Sequence, residues 1–471
     1  MQTSNGSGDT IARRLARFAT GLRYEDLPQP IIARAKALVL DQLGCELIGS
    51  TMPWMAPALK LVRLSQGATP ESTLVNFGSR VAAADAAFAN ASFGHACEMD
   101  DAAFGSSGHI GTATVPVALA VGERERCNGR EFLAALVAGY DVMYRLMSAV
   151  TPHNIERGFQ SQGIGGPFGA AATAGKLLGL DAEQMTHALA IAGSHSAGPA
   201  EYDQSGGEVK RIHAGIAARG GIHSALLAKF GLTGPATIIE GKRGFCNLFA
   251  AQSDPARITV GLGEDLKIAN ASFKMYPAVG GVHTVIAALQ HLAKEHDIAP
   301  DDVAAVKVGL AKKRLLHGAA IRRPHDVASA QFSIAFSAAL AVCKRANELG
   351  HYTDPALWGD RQILEMVDRV EIFADGAATG TKISRAAVRI ELKSGRSVGR
   401  IEDYPKGTPV NPVTPEEHQA KVRSLCGTVL SPKRIDALME AVNELEDLPD
   451  IGHLALLLVG EEKGSLKRRL G

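Results

Sequence analysis

Residues 213–232 read HAGIAARGGIHSALLAKFGL, and this stretch decides the fold. Its alanines and glycines let a helix lie with its backbone close against its neighbours. The same texture recurs in AAFANASFGHA (86–96) and GPFGAAATAGKLLGL (166–180). Working outward, Ile32, Ala35, Val39, Leu43 and Leu47 fall at spacings of three and four, after Pro30 at a helix start. Strand-like alternation is hard to find between residues 10 and 265. These features predict a compact helical bundle with tight crossings.

The pattern changes after Lys274. Val306, Val308 and Leu310 alternate with small or charged residues, as do Val370 and Ile372. Val388, Ile390 and Leu392 lead into Ser394-Gly395 and then Val398, which reads as a hairpin. Helical stretches lie between, around 281–295 and 329–349. Beyond Pro405-Lys406-Gly407-Thr408-Pro409 the helical period returns, at 416–425 and 433–445. The fold class is therefore mainly α with an α+β part. The boundaries expected are 1–269 with 409–471 for the helical domain and 270–408 for the α+β part.

Bulk composition narrows the function. The 471 residues suffice for two or three domains, with 46% apolar and 21% charged side chains. Fifty Lys and Arg against 49 Asp and Glu leave a net charge of +1, so no general field draws in nucleic acid or an anionic membrane. The six cysteines form no CxxC pair, and neither HExxH nor another metal-ligand spacing accompanies the fifteen histidines. The opening MQTSNGSGDT has no apolar core, and no run approaches the roughly 20 apolar residues of a membrane helix. A cytoplasmic protein with no metal is expected.

Chemistry concentrates in HACEMDDAAFGSSGHIGTATVP, residues 95–116, where Glu98, Asp100 and Asp101 precede a Gly/Ser loop and His109. Carboxylates and imidazoles on loops between helices suit proton transfer at a small acid. A helix starting after His109 would turn free N–H groups toward a substrate carboxylate. Lys210 and His213 lie three apart at another helix start, where a lysine can fix a carboxylate and an imidazole can shuttle a proton. Lys274, Tyr276 and His283 form a third cluster around Pro277 and Gly280-Gly281. Gly163, Gly165, Gly166 and Gly169 mimic a nucleotide fingerprint, but no strand precedes them and Pro167 interrupts, so helix packing explains them better.

Taken in order, ALVLDQLGCELIGS, FGHACEMDD, GPFGAAATAGKLLGL, KRIHAGIAARGG, FKMYPAVGGVH, ASAQFSIAFSAALA and YPKGTPVNPVTPEEHQAKV resemble the MmgE/PrpD family. Its members include 2-methylcitrate dehydratase, cis-aconitate decarboxylase and iminodisuccinate epimerase. The resemblance implies a large all-helical domain built from both chain ends, a smaller inserted lid-like α+β domain, a homodimer, and no cofactor. By position it implies catalytic roles for Glu98, Asp101, His109, Lys210 and His283, with Lys274, Tyr276, Gln160 and His213 at the substrate. Four positions depart from the family pattern. Gln160 stands where histidine is usual, Gly280 where arginine is usual, Phe336 where tyrosine is usual, and Glu98 where aspartate is usual. A pocket without that guanidinium would serve a tricarboxylate poorly, because bidentate Arg–carboxylate pairing is hard to replace.

The shared chemistry is proton transfer at carbon beside a carboxylate, on a small di- or tricarboxylate. The expectation is a hydro-lyase of the 2-methylcitrate dehydratase type. The alternatives are an epimerase acting on a dicarboxylate such as iminodisuccinate, a cis-aconitate-type decarboxylase, and, more remotely, a non-catalytic acid binder.

Overall fold

The computed structural model describes residues 8–65, 69–316, 318–378 and 384–461. Two hydrophobic cores organise it. The first gathers buried side chains from Ala12 to Phe273 and again from Val422 to Leu458, so both ends of the chain share it. The second runs from Ala278 to Leu392.

In the first core, helices Ser161–Leu177 and His213–Lys229 pack against one another and against Ala83–Gly94, Ile110–Glu125, Gly129–Val150 and Ala182–Ala192. The small residues do what the sequence predicts. A Cβ on Gly221 would stand 2.3 Å from Ala170 Cβ, and one on Gly139 would stand 1.9 Å from Thr173 Oγ1. The fingerprint-like glycines, all within helix Ser161–Leu177, also serve packing: Gly165 lies against Met147 and Gly166 against Ala217 of neighbouring helices. Helix Gly129–Val150 is long and apolar enough to cross a membrane, contrary to the sequence reading, yet 94% of its apolar window is buried inside the fold.

The predicted helix after Pro30 spans Gln29–Gly49. Pro415–Cys426 and Pro432–Asn443 return from the C-terminal side to pack against it.

The second core is covered by a four-stranded sheet in the order Val370–Ala374, Val303–Leu310, Ala386–Leu392, Ser397–Glu402. The first pair is parallel and the other two are antiparallel, with Val306 opposite both Val370 and Ile390. The predicted hairpin turns at Gly395, whose φ of +85° suits glycine. The predicted helix at 329–349 is instead two, Val327–Phe332 and Ile334–Cys343, broken where the Ser333 side chain accepts from the Phe336 N–H as a new cap.

A two-residue strand pair that nothing in the sequence announced lies within the span of the first core. Ala102 pairs with Ser272 and Ala103 with Ala271, antiparallel. It fixes the acidic loop beside the segment that leads to Lys274.

Candidate active site

The acidic segment leaves helix Ala83–Gly94 and enters helix Ile110–Glu125. Within it Glu98 has φ +56°, a left-handed backbone that costs a non-glycine residue roughly 1–2 kcal/mol. Two ammonium groups hold it there. Lys210 Nζ bonds Glu98 Oε1, and Lys274 Nζ donates to Oε2 at 2.9 Å. Burial, with Lys274 and Arg211 alongside, pulls Lys210 well below the usual lysine value.

Asp100 is fully buried between two imidazoles, with Oδ2 2.9 Å from His95 Nδ1 and 3.0 Å from His109 Nδ1. Burial works against its charge, but Lys274 and both rings overcome this and hold its carboxyl well below the usual range. A charged carboxylate can only accept, so His95 carries its proton on Nδ1. Burial and Lys210 keep His95 well below its usual value, hence neutral. Its bare Nε2 then accepts from Gln160 Nε2 at 3.2 Å, which leaves Gln160 Oε1 to accept from His213 Nδ1 at 2.6 Å. His109 Nδ1 also lies 2.7 Å from the Asp101 carbonyl oxygen, an acceptor that requires the proton on this nitrogen. No described residue partners His109 Nε2.

These groups meet at a cavity of about 430 Å³. Glu98, His109, Gln160, Lys210 and Lys274 line it, so five of the nine residues singled out in the sequence share one wall. His213 is held behind it through Gln160, where burial and Lys210 lower the imidazole to about 4.

The other expected site residues lie elsewhere. Asp101 is not on the wall: its Oδ1 accepts from the Gly111 N–H at 2.9 Å, and Oδ2 lies 3.5 Å from the Tyr140 hydroxyl. The helix start after His109 therefore has part of its N–H groups already committed within the protein. Asp101 takes that of Gly111, and Gln162 Oε1 takes that of His109 at 2.9 Å. Burial pushes the Asp101 carboxyl up to about 7.

His283 opens its helix as expected but lines a neighbouring cavity of about 620 Å³, which shares Lys274, Gly280 and Ser384 with the first. Its Nε2 donates to the Ala278 carbonyl at 3.1 Å, and burial with Lys274 lowers it to about 3. The Tyr276 hydroxyl lies 3.4 Å from Gln290 Oε1, its ring packed against the second core rather than on either wall. Phe336 sits in that core with its ring edge-on to Tyr352, 6.2 Å between centroids, so its lost hydroxyl is no loss to the cavity.

The cavity does hold a guanidinium. Arg314, on the turn Lys312–Leu316, lines it beside Gly280 and Gly281. Reasoning from sequence missed Arg314, as well as the roles of His95, Asp100 and Gln162.

His95, Asp100 and His109 each place one possible ligand atom within 4.8 Å of the others, as metal ligands would. Their contacts at 2.9 and 3.0 Å are hydrogen-bond lengths, and the Asp101 carbonyl at His109 Nδ1 asks for a proton there. A cation at this spot would have to displace both protons.

Comparison with known proteins gives one consistent answer. The chain is 28% identical to the cis-aconitate decarboxylase-like protein oryM of Aspergillus oryzae, covering 96% of this chain and 98% of that one. It is 26% identical to cis-aconitate decarboxylase of Aspergillus terreus, over 95% and 96% of the two chains. It is likewise 26% identical to the human cis-aconitate decarboxylase, over 96% and 95%. None of these is named as a dehydratase or an epimerase, so the hydro-lyase expectation gains no support from them. Residues 13–258 match the MmgE/PrpD N-terminal domain and residues 276–447 the MmgE/PrpD C-terminal domain. With its loops of acidic, basic and imidazole groups gathered at one cavity, the chain belongs to the MmgE/PrpD family.

Proposed function

We propose that this protein is a lyase that removes CO₂ from an unsaturated tricarboxylate of the cis-aconitate type. Two lines support the reading: relatives bearing that name align over nearly their whole length, and the cavity wall is rich in cations. What carries it is His109, with Nδ1 held by Asp100 and the Asp101 carbonyl and Nε2 without a partner among the described residues at the cavity.

The chemistry follows from the substrate class. The departing carboxylate sits on a carbon next to a C=C bond. Its C–C electron pair forms a new double bond as CO₂ leaves, and the old double bond's pair moves to the carbon beside another carboxylate. That carbon takes a proton from His109 Nε2. Asp100, held ionised, stabilises the imidazolium before transfer. Lys210 and Lys274 hold the remaining carboxylates and the charge that builds on them, with Glu98 yielding its place between the two ammonium groups. One proton is consumed for each neutral CO₂ released.

The test is to offer purified protein cis-aconitate, 2-methylcitrate and iminodisuccinate separately and follow each by NMR. CO₂ release from the first alone supports the proposal. Water loss from 2-methylcitrate, or epimerisation of iminodisuccinate, with cis-aconitate untouched, would replace it.

A further inference from the structure

We infer that Arg314 forms a second carboxylate subsite, separate from the lysine pair, that selects acids with three carboxylates over those with two. This deepens the proposed function and rests on that reading for the substrate class.

Among the described residues the guanidinium is anchored through one nitrogen only. Arg314 Nη1 donates to the Ser384 carbonyl at 2.7 Å and lies 3.4 Å from Thr284 Oγ1 and 3.5 Å from the Arg385 carbonyl. The edge formed by Nε and Nη2 makes no hydrogen bond to a described residue. That edge is the one that meets a carboxylate with two parallel bonds. It lies against Gly281, where a Cβ would stand 3.6 Å from Nε and 3.7 Å from Nη2, and a Cβ at Gly280 would meet no described residue within 4 Å. Two glycines in a row thus leave open space beside a fixed, half-used cation.

Its charge is also unanswered. Among the described residues no carboxylate lies within salt-bridge distance of Arg314. On the same wall Glu98 is committed to the two lysines, and Asp203 accepts from Gln204 at 2.7 Å. Burial pulls the guanidinium down to about 10, and no described carboxylate lies close enough to offset that. An incoming carboxylate would supply both the missing charge and the missing acceptors.

The test uses propane-1,2,3-tricarboxylate, which lacks the double bond needed for decarboxylation, with its two truncations, glutarate and methylsuccinate. Calorimetric binding does not depend on turnover, so failure of the decarboxylase reading and failure of this one are separable. Wild-type protein should bind the tricarboxylate most tightly. Arg314→Gln should weaken it by about tenfold or more, the scale of a charge-assisted pair, while leaving unchanged the dicarboxylate that lacks the group at this subsite. Gly280→Leu fills the space without touching the anchors of Arg314 and should do the same, which decides the matter if the first variant fails to fold. Equal weakening of all three acids, or undiminished tricarboxylate binding in Gly280→Leu, would overturn the assignment.

Discussion

Asp100 and His109 form the contact on which the site turns: Oδ2 lies 3.0 Å from Nδ1, while the same oxygen holds His95 Nδ1 at 2.9 Å. One buried carboxylate thus fixes two rings and leaves the outer nitrogen of His109 for chemistry. Asp100→Asn keeps the shape and, with its amide oxygen in the place of Oδ2, an acceptor for both rings, but it removes the charge. Turnover should fall by at least about 10², the scale of losing a preorganised electrostatic partner, with far-UV circular dichroism unchanged. Turnover within a factor of about three of wild type would show that Asp100 is packing alone.

Asp101 gives a stability signature. Its folded-state value of about 7 exceeds the ordinary carboxylate value of about 4. A raised value means that the stability it contributes is complete below about pH 4 and is lost as pH rises through 7. Asp101→Asn lacks this loss and keeps an acceptor for the Gly111 N–H. The stability of wild type relative to this variant should therefore fall by about 1.4 kcal/mol for each pH unit between 4 and 7, measured by chemical denaturation. A difference that stays flat across that range would refute the burial argument.

Lys421 braces the acidic loop from the far end of the chain. Its Nζ donates to the Met99 carbonyl at 2.7 Å and lies 2.7 Å from Asp41 Oδ1. Lys421→Met would strip buried Asp41 of its main counter-charge, leaving His418 at 3.3 Å. A loss of about 3–5 kcal/mol is expected, as for other broken buried pairs. Adding Asp41→Asn should recover part of it. No recovery in the double variant would mean that the bond to Met99, rather than the ion pair, carries the effect.

Chelation tests the cluster of His95, Asp100 and His109. With both Nδ1 protons committed to hydrogen bonds, EDTA should leave turnover unchanged. Loss restored by a divalent ion would assign these three groups as ligands instead.

Much of this architecture is legible in the sequence because its causes are local. Alanine and glycine runs force close helix crossings, and Ser394-Gly395 between alternating strands makes the hairpin. Glu98, His109, Lys210 and Lys274 reach one cavity because each lies in or next to a connection between elements. Arg314 escapes notice because its turn has no motif, and its meaning depends on Gly280 and Gly281 some thirty residues away. His95 and Asp100 sat within the right motif, but their pairing depends on the left-handed turn at Glu98 and the bridge between Ala102 and Ser272, neither of which has a sequence signature. Resemblance to the family puts His283 and Tyr276 at the site without saying where their side chains go. The turn at Gly280–Val282 then directs one to the adjoining cavity, and the other packs against the second core.

Proton delivery by His109 to carbon is the claim from which the rest follows, and reaction in D₂O tests it most directly. With cis-aconitate, each product molecule should carry one deuterium on the carbon beside a carboxylate, appearing in step with CO₂, and His109→Ala should slow both by at least about 10². Product formed at the wild-type rate by His109→Ala, or product free of deuterium at that carbon, would contradict it.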